Sequence, residues 1–152
     1  EEQRRVSITG DLILDHGTPI MRSMGDDVSL YMRSLARVSR CELGWVLPSH
    51  GRTFPEGNNA LRNVIDQREK LLDWTWSELE RKPQRLVNLS LGALQAGAAG
   101  EKANPILLIG VLESALFGWR KCGVADFDTS TGHFRITFEE GTKRGGESHS
   151  AA

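Results

Sequence analysis

Two side chains that can bind a metal ion follow two separate apolar segments of this sequence. Asp11 lies in the apolar segment of residues 6–14, and His50 follows that of residues 43–47 after Pro48 and Ser49. Carboxylate oxygens and imidazole nitrogens are common ligands of zinc and related divalent ions. Because loops at strand ends leave room for a substrate, this pair indicates metal-assisted hydrolysis as the chemistry to test.

The hydropathy pattern predicts the elements that position these two residues. Both apolar segments are predicted strands, the first because it is rich in β-branched residues. Between them, apolar residues at helical spacing predict one amphipathic helix, for which Asp26 or Asp27 can serve as the N-cap. A long helix is predicted over residues 60–81 and ends before Pro83.

The composition changes after Pro83, where we place a domain boundary. Residues 92–104 are rich in Gly and Ala and are predicted to contain a flexible turn, and a second helix is predicted over residues 105–121. A hairpin of residues 124–127 and 133–138 follows, because a short loop with Gly separates the two runs. We therefore predict a half-domain over residues 1–82, a winged-helix-like unit over 83–140 and a disordered tail over 141–152.

Bulk properties limit the possible functions. With 152 residues and a formal net charge of −1, the chain has no overall attraction to nucleic acid or to an anionic membrane. No apolar run reaches the roughly 20 residues that span a bilayer, and no apolar segment of a signal peptide opens the chain. Cys41 and Cys122 are predicted to be reduced thiols in a cytoplasmic protein, with Cys122 contributing to packing. A start just before a core strand suggests a fragment or a processed chain.

The segment of residues 9–51 resembles the C-terminal half of the metallo-β-lactamase fold. The matching pieces are Thr9-Gly10-Asp11, His16-Gly17-Thr18-Pro19, the intervening helix and Leu47-Pro48-Ser49-His50-Gly51. The resemblance implies an α+β fold, half of an αββα sandwich, followed here by the winged-helix-like unit. The His16 piece and the appended unit are similar to the branch of β-lactamase-like endoribonucleases and glyoxalase II-like thioester hydrolases.

The resemblance also implies a function and a set of site residues. Asp11 would bridge two zinc ions, His50 would complete the shell of the second ion, and His16 would lie in the second shell or at the rim. Metal-bound hydroxide would then attack a small-molecule thioester or ester, or a phosphodiester of single-stranded RNA. No catalytic residue in this chain is implied besides the metal ligands.

The sequence departs from the family pattern in ways that matter for activity. The N-terminal His-x-His-x-Asp-His loop is absent, because the four histidines of the chain form no such cluster. Gln67 stands where the family often has His, and Ser49 stands where Gly is commoner. Two ligands are too few for a zinc site, so this chain alone is expected to be inactive. It would need the missing N-terminal half or a second subunit, and a homo-oligomer is one possibility.

Two other functions remain open at this point. One is a non-catalytic module, derived from the same fold, that binds a partner. A nucleic-acid-binding winged helix is less favoured, because the main helix of the unit has only Arg120 and Lys121 as basic residues; we interpret the unit as a lid or wall over the site. Arg62 and Arg68 could contact an anionic substrate or cover apolar surface with their stems. The tryptophans Trp74, Trp76 and Trp119 are expected to pack between elements.

Overall fold

The structure is a computed structural model that describes residues 5–15, 19, 21, 27–100 and 103–137. Strands and helices follow one another along the described chain in this order: β1 (Val6–Gly10), α1 (Val28–Val38), β2 (Trp45–Pro48), α2 (Gly57–Arg81), β3 (Gln84–Arg85), α3 (Leu86–Gln95), α4 (Pro105–Lys121), β4 (Ala125–Asp128) and β5 (His133–Ile136). The α+β fold class predicted from the sequence is confirmed.

Helix α1 begins at the residue that the sequence indicates. The carboxylate of Asp27 accepts hydrogen bonds from the main-chain N–H groups of Ser29 and Leu30, which the first turn of a helix otherwise leaves unpaired. The N–H of Val28 instead donates to Ser114 Oγ of α4 at 3.0 Å. The cap prediction is thus confirmed for Asp27, whereas Asp26 lies outside the described residues.

The strands form two small sheets. β1 and β2 pair in parallel, with Val6 opposite Trp45 and Gly10 opposite Pro48. β3, β5 and β4 form an antiparallel sheet in that order. β1 ends four residues earlier than predicted, because Gly10 adopts a left-handed φ of 56° that turns the chain. β3 was not predicted, since two residues show no periodicity and its pairing partner, β5, is far away in sequence.

Two apolar clusters hold these elements together, and α2 contributes to both. The smaller cluster joins Ile13, Leu35, Leu43 and Leu61. The larger cluster takes Leu71 and Leu79 of α2 together with residues of α3, α4 and β5. α2 therefore runs continuously from one cluster to the other. The predicted domain boundary after residue 82 stays a prediction.

The tryptophans pack between elements, as the sequence predicts. The rings of Trp76 and Trp119 meet edge to face with their centroids 5.1 Å apart, the geometry that aromatic pairs prefer. The ring of Trp74 lies over Gly92, where an added Cβ would be 2.8 Å from its Cη2 atom. Aromatic side chains therefore pack α2 against both α3 and α4.

One prediction about the C-terminal part is confirmed and one is wrong. The turn predicted within residues 92–104 is present at residues 96–99, although residues 92–95 still belong to the last turn of α3, because the Ala and Leu residues there favour a helix. Cys122, predicted to contribute to packing, is exposed at the end of α4; Cys41 is also exposed, and both are free thiols.

Within the described ranges, no helix is both long and apolar enough to cross a bilayer.

Candidate metal centre

The parallel pairing of β1 and β2 brings the two predicted ligands to one place. In a parallel pair the carboxyl ends of both strands lie at the same edge of the sheet. Asp11 is the first residue after β1, and His50 is the second residue after β2. The residues are 39 positions apart in sequence but follow paired strand ends, so their side chains share one exposed edge.

The two side chains lie close enough to act together. His50 Nε2 is 3.7 Å from Asp11 Oδ1. Both side chains are open to solvent, at 77% and 61% exposure respectively, which leaves room for an ion or a substrate. The hydroxyl of Ser49 donates a hydrogen bond to the same Asp11 oxygen. Ser49 therefore orients the carboxylate directly.

The turn after β1 has hydrogen bonds of its own. Leu12 N–H donates to the carbonyl of Thr9 at 3.0 Å, and Thr9 Oγ1 donates to the carbonyl of Ile13 at 3.1 Å. Ile13 is fully buried in the smaller apolar cluster. These contacts fix the main chain on both sides of Asp11, so that its carboxylate stands outward at the sheet edge.

Asp15 holds the loop after β2, a role that the sequence reasoning missed. Its largely buried carboxylate accepts from Arg52 N–H at 3.3 Å and lies 3.6 Å from Arg52 Nε. Gly51 has a φ of 89°, and an added Cβ there would be 3.0 Å from Asp15 Cβ. The backbone next to His50 is therefore fastened to the segment that follows Asp11. Gly51 belongs to the motif of residues 47–51 that the sequence singled out. Its contact with Asp15 could not be predicted, because the two residues are far apart in the sequence.

The donor set fits part of a metal site. Two ligand atoms about 2.1 Å from one tetrahedral zinc ion lie about 3.4 Å apart, close to the 3.7 Å between Asp11 Oδ1 and His50 Nε2. In the part of the chain that the structure describes, no group of three His, Cys, Asp or Glu side chains could hold an ion. His16, predicted in the second shell or at the rim, lies outside the described residues. The residues present thus supply two ligands, and a complete centre needs more.

The two arginines that were considered for substrate binding lie elsewhere. Arg68 is buried on α2, 4% exposed, so contact with a substrate is excluded for it in this structure. Arg62 is exposed and bonds within its own helix, to the carbonyl of Asn58 and to Asn59 Oδ1. The anion contact that the sequence left open is therefore ruled out for Arg68 in this structure, and nothing in the contacts of Arg62 supports it there.

Comparison with known sequences gives a distant similarity to lactamase-like proteins. No family model matches the chain. The lactamase-like protein adaB of Aspergillus niger is 29% identical to it over 99 residues, which are 64% of this chain and 29% of that protein. The chain therefore spans less than a third of the curated relative that it matches.

Comparison with solved structures identifies the fold. A β-lactamase domain protein from Burkholderia ambifaria superposes with a TM-score of 0.67 at 16% identity, over 86% of this chain and 41% of that one. A metallo-β-lactamase family protein from Thermus thermophilus gives 0.65 at 15% identity, over 89% and 43%. The chain thus has the fold seen in part of these metallo-β-lactamase structures, and it spans less than half of their length.

Proposed function

We propose that this chain is the C-terminal portion of a binuclear metal-dependent hydrolase. Asp11 would be the carboxylate that bridges two zinc ions, and His50 the imidazole that completes one shell. A zinc pair bound there would lower the pKa of a bound water molecule to about 7 and would polarise the scissile bond of the substrate. The observation that carries this proposal is the 3.7 Å separation of the two side chains at the paired strand ends of this fold.

The remaining ligands would come from a further part of the αββα sandwich, in the same polypeptide or in a second subunit. Residues paired in a parallel sheet point to the same side, so Val6, Ile8 and Trp45 share one face, and all three are exposed. Parallel sheets are normally covered on both faces. A second layer over this apolar face would complete the sandwich and bring its own ligands to the sheet edge.

The C-terminal part would shape access to the site. Its order of α3, α4 and hairpin, with β3 added to the hairpin in the sheet order β3-β5-β4, supports the winged-helix-like interpretation. We assign this unit to a lid or wall, and the substrate to either a small-molecule thioester or ester or the phosphodiester of single-stranded RNA. The exposed free thiols of Cys41 and Cys122 fit a reducing cytoplasmic location.

Zinc binding tests the proposal most directly. In the natural full-length protein, we expect one or two zinc ions per chain. Asp11→Asn and His50→Gln should each weaken zinc binding by at least about tenfold and abolish hydrolysis of the substrate, with a thioester and an RNA oligonucleotide assayed separately. Asp66→Asn on α2 and His133→Gln on β5 are the matched controls and should leave both properties unchanged.

The opposite outcome is equally clear. If the full-length protein binds no zinc and the two ligand variants behave as the controls do, the hydrolase proposal is wrong. A partner recovered on the apolar face of the two-stranded sheet would then favour the alternative, a non-catalytic partner-binding module built on the same fold.

A further inference from the structure

Arg68 and Tyr31 form a contact between α2 and α1 that the proposed function does not use. Arg68 Cζ lies 5.8 Å from the centroid of the Tyr31 ring, within the range of a cation–π interaction. Arg68 is 4% exposed and lies on α2 between the buried Leu61 and Leu71. The position is one where the helix otherwise places apolar side chains toward the interior.

Stability alone does not explain an arginine at this position. Its Nε and Nη2 atoms are buried and have no hydrogen-bond partner among the described residues. Burial lowers the pKa of the Arg68 guanidinium and raises the pKa of the Tyr31 hydroxyl, since both charged forms lose solvation. An apolar side chain of similar size would avoid this desolvation. Arg68 contacts Tyr31 instead, both through the ring under its guanidinium and through an interaction with the hydroxyl that partly offsets the lowering of its pKa.

The hydroxyl of Tyr31 reaches the turn that carries the proposed metal ligand. Tyr31 Oη donates to the carbonyl of Leu12 at 3.0 Å, and Leu12 directly follows Asp11. The hydrogen bonds of Thr9 with Leu12 and Ile13 are internal to this turn. The bond from Tyr31 instead ties the turn to α1, across 19 residues of sequence. Movement of the Tyr31 ring would therefore move the main chain next to Asp11.

We propose that Tyr31, with its ring held by Arg68, is a positioning residue that fixes the main chain beside Asp11 and so sets the direction of the carboxylate. This inference rests on the proposed role of Asp11 as a metal ligand. Tyr31 touches neither metal nor substrate in this scheme. It acts through Leu12, and Arg68 acts through Tyr31.

Tyr31→Phe is the sharpest test, because it removes the hydroxyl and keeps the ring under Arg68. In the natural full-length protein we expect the Leu12 amide, which donates to Thr9 in the same turn, to exchange about tenfold faster with solvent, because the turn loses the part-buried hydrogen bond that ties it to α1. We also expect zinc affinity to fall by about tenfold. Thr75→Val is the matched control: it removes a buried hydroxyl bonded to the Leu71 carbonyl of α2 and should change neither measurement.

Arg68→Met provides a second, independent variant. It should speed Leu12 exchange by about threefold in the wild-type background and have no further effect in the Tyr31→Phe background, because residues acting along one route are not additive. Equal effects in both backgrounds would show that Arg68 does not act through Tyr31 and would overturn that part of the inference.

The outcomes separate this inference from the proposed function. Faster Leu12 exchange in Tyr31→Phe with unchanged zinc affinity overturns the positioning role, and so does exchange at the wild-type rate. If Asp11→Asn binds zinc as tightly as the wild type, the ligand assignment fails, and the positioning role toward zinc fails with it. Asp11-dependent binding with an unaffected Tyr31→Phe leaves the proposed function intact and rejects only the inference.

Discussion

Arg68 stands on the buried stripe of α2, where the helical pattern calls for an apolar side chain. The sequence left open whether Arg68 contacts an anionic substrate or covers apolar surface with its stem. The tertiary contact between α1 and α2 encloses it instead, with Nε and Nη2 unpartnered among the described residues. Asp11 and His50 behave in the opposite way: they follow strand ends and remain exposed.

Replacing Arg68 by Met should change the global free energy of unfolding very little. The lost cation–π contact is offset by the removal of unpaired buried N–H groups, so we expect a change within about 1 kcal/mol in urea titrations. Leu71→Ala, on the same stripe, should cost about 2–5 kcal/mol. A loss of more than about 2 kcal/mol for Arg68→Met would mean that the guanidinium has an acceptor in solution.

The carboxylate of Asp128 should make stability depend on pH. It accepts from the N–H and hydroxyl of Ser130 and from the hydroxyl of Thr131, and the hydroxyl of Ser130 in particular lowers its pKa from 3.8 to about 2. A group whose pKa is lowered in the folded state stabilises the fold above its unfolded pKa, and this contribution is lost as the pH falls toward 2.

Asp128→Asn should therefore lower the melting temperature at pH 7, and the difference from wild type should shrink between pH 4 and pH 2. Calorimetry across this range provides the measurement. Asp66→Asn, an exposed change on α2, serves as the control. A difference for Asp128→Asn that is the same at pH 7 and pH 2 would contradict this explanation.

Helix α4, like α2, connects elements that are far apart in the sequence. Its buried apolar residues belong to the larger apolar cluster, and the hydroxyl of its Ser114 accepts from the N–H of Val28 at the start of α1. Gly110 allows the chain at Met21 to cross the helix, since an added Cβ would overlap the Met21 carbonyl oxygen. Gly118, two turns further on, has open space around the same position.

The two glycines of α4 should respond to alanine in opposite directions. Gly110→Ala should lower the free energy of unfolding by about 1–3 kcal/mol, because the backbone at Met21 must move. Gly118→Ala should raise it by about 0.5–1 kcal/mol, because alanine is the better helix former. Chemical denaturation of both variants makes the comparison, and a stabilised Gly110→Ala would show that Met21 does not cross the helix there.

The molecule as a whole has one apolar sheet face that nothing in its described residues covers. Ile8 is 85% exposed and lies beside Val6 and Trp45 on the parallel pair β1–β2. The solved structures with this fold are more than twice as long as the part that the chain matches. The proposed second layer of the sandwich would account for both features, since it would cover this apolar face and supply the missing metal ligands.

Without that layer, the 152-residue chain should associate through this face. Ile8→Ser should weaken self-association in sedimentation experiments by about tenfold or more, since burial of one isoleucine contributes about 1.5–3 kcal/mol. Ile106→Ser, a matched change at a site 78% exposed on α4, should have almost no effect. Equal effects of the two changes would indicate non-specific association rather than a defined interface.

Local chemistry made several features predictable from the sequence. The Asp27 cap, the helix over residues 105–121 and the loop of the β4–β5 hairpin depend on residues within a few positions of one another. The choice of Asp11 and His50 depended on the resemblance of short motifs at strand ends. The long helix was also predicted, although it begins three residues earlier, at Gly57.

Contacts between distant residues decided the rest. The parallel register of β1 and β2 sets the 3.7 Å between Asp11 and His50, and the packing of α1 on α2 buries Arg68 against Tyr31. β3 exists as a strand because β5 pairs with it. The amino-acid sequence alone therefore determined which side chains could bind a metal, since that is a property of residue type and local turn. Only the tertiary structure decided which of them meet, because chain segments far apart in sequence acquire their neighbours through packing.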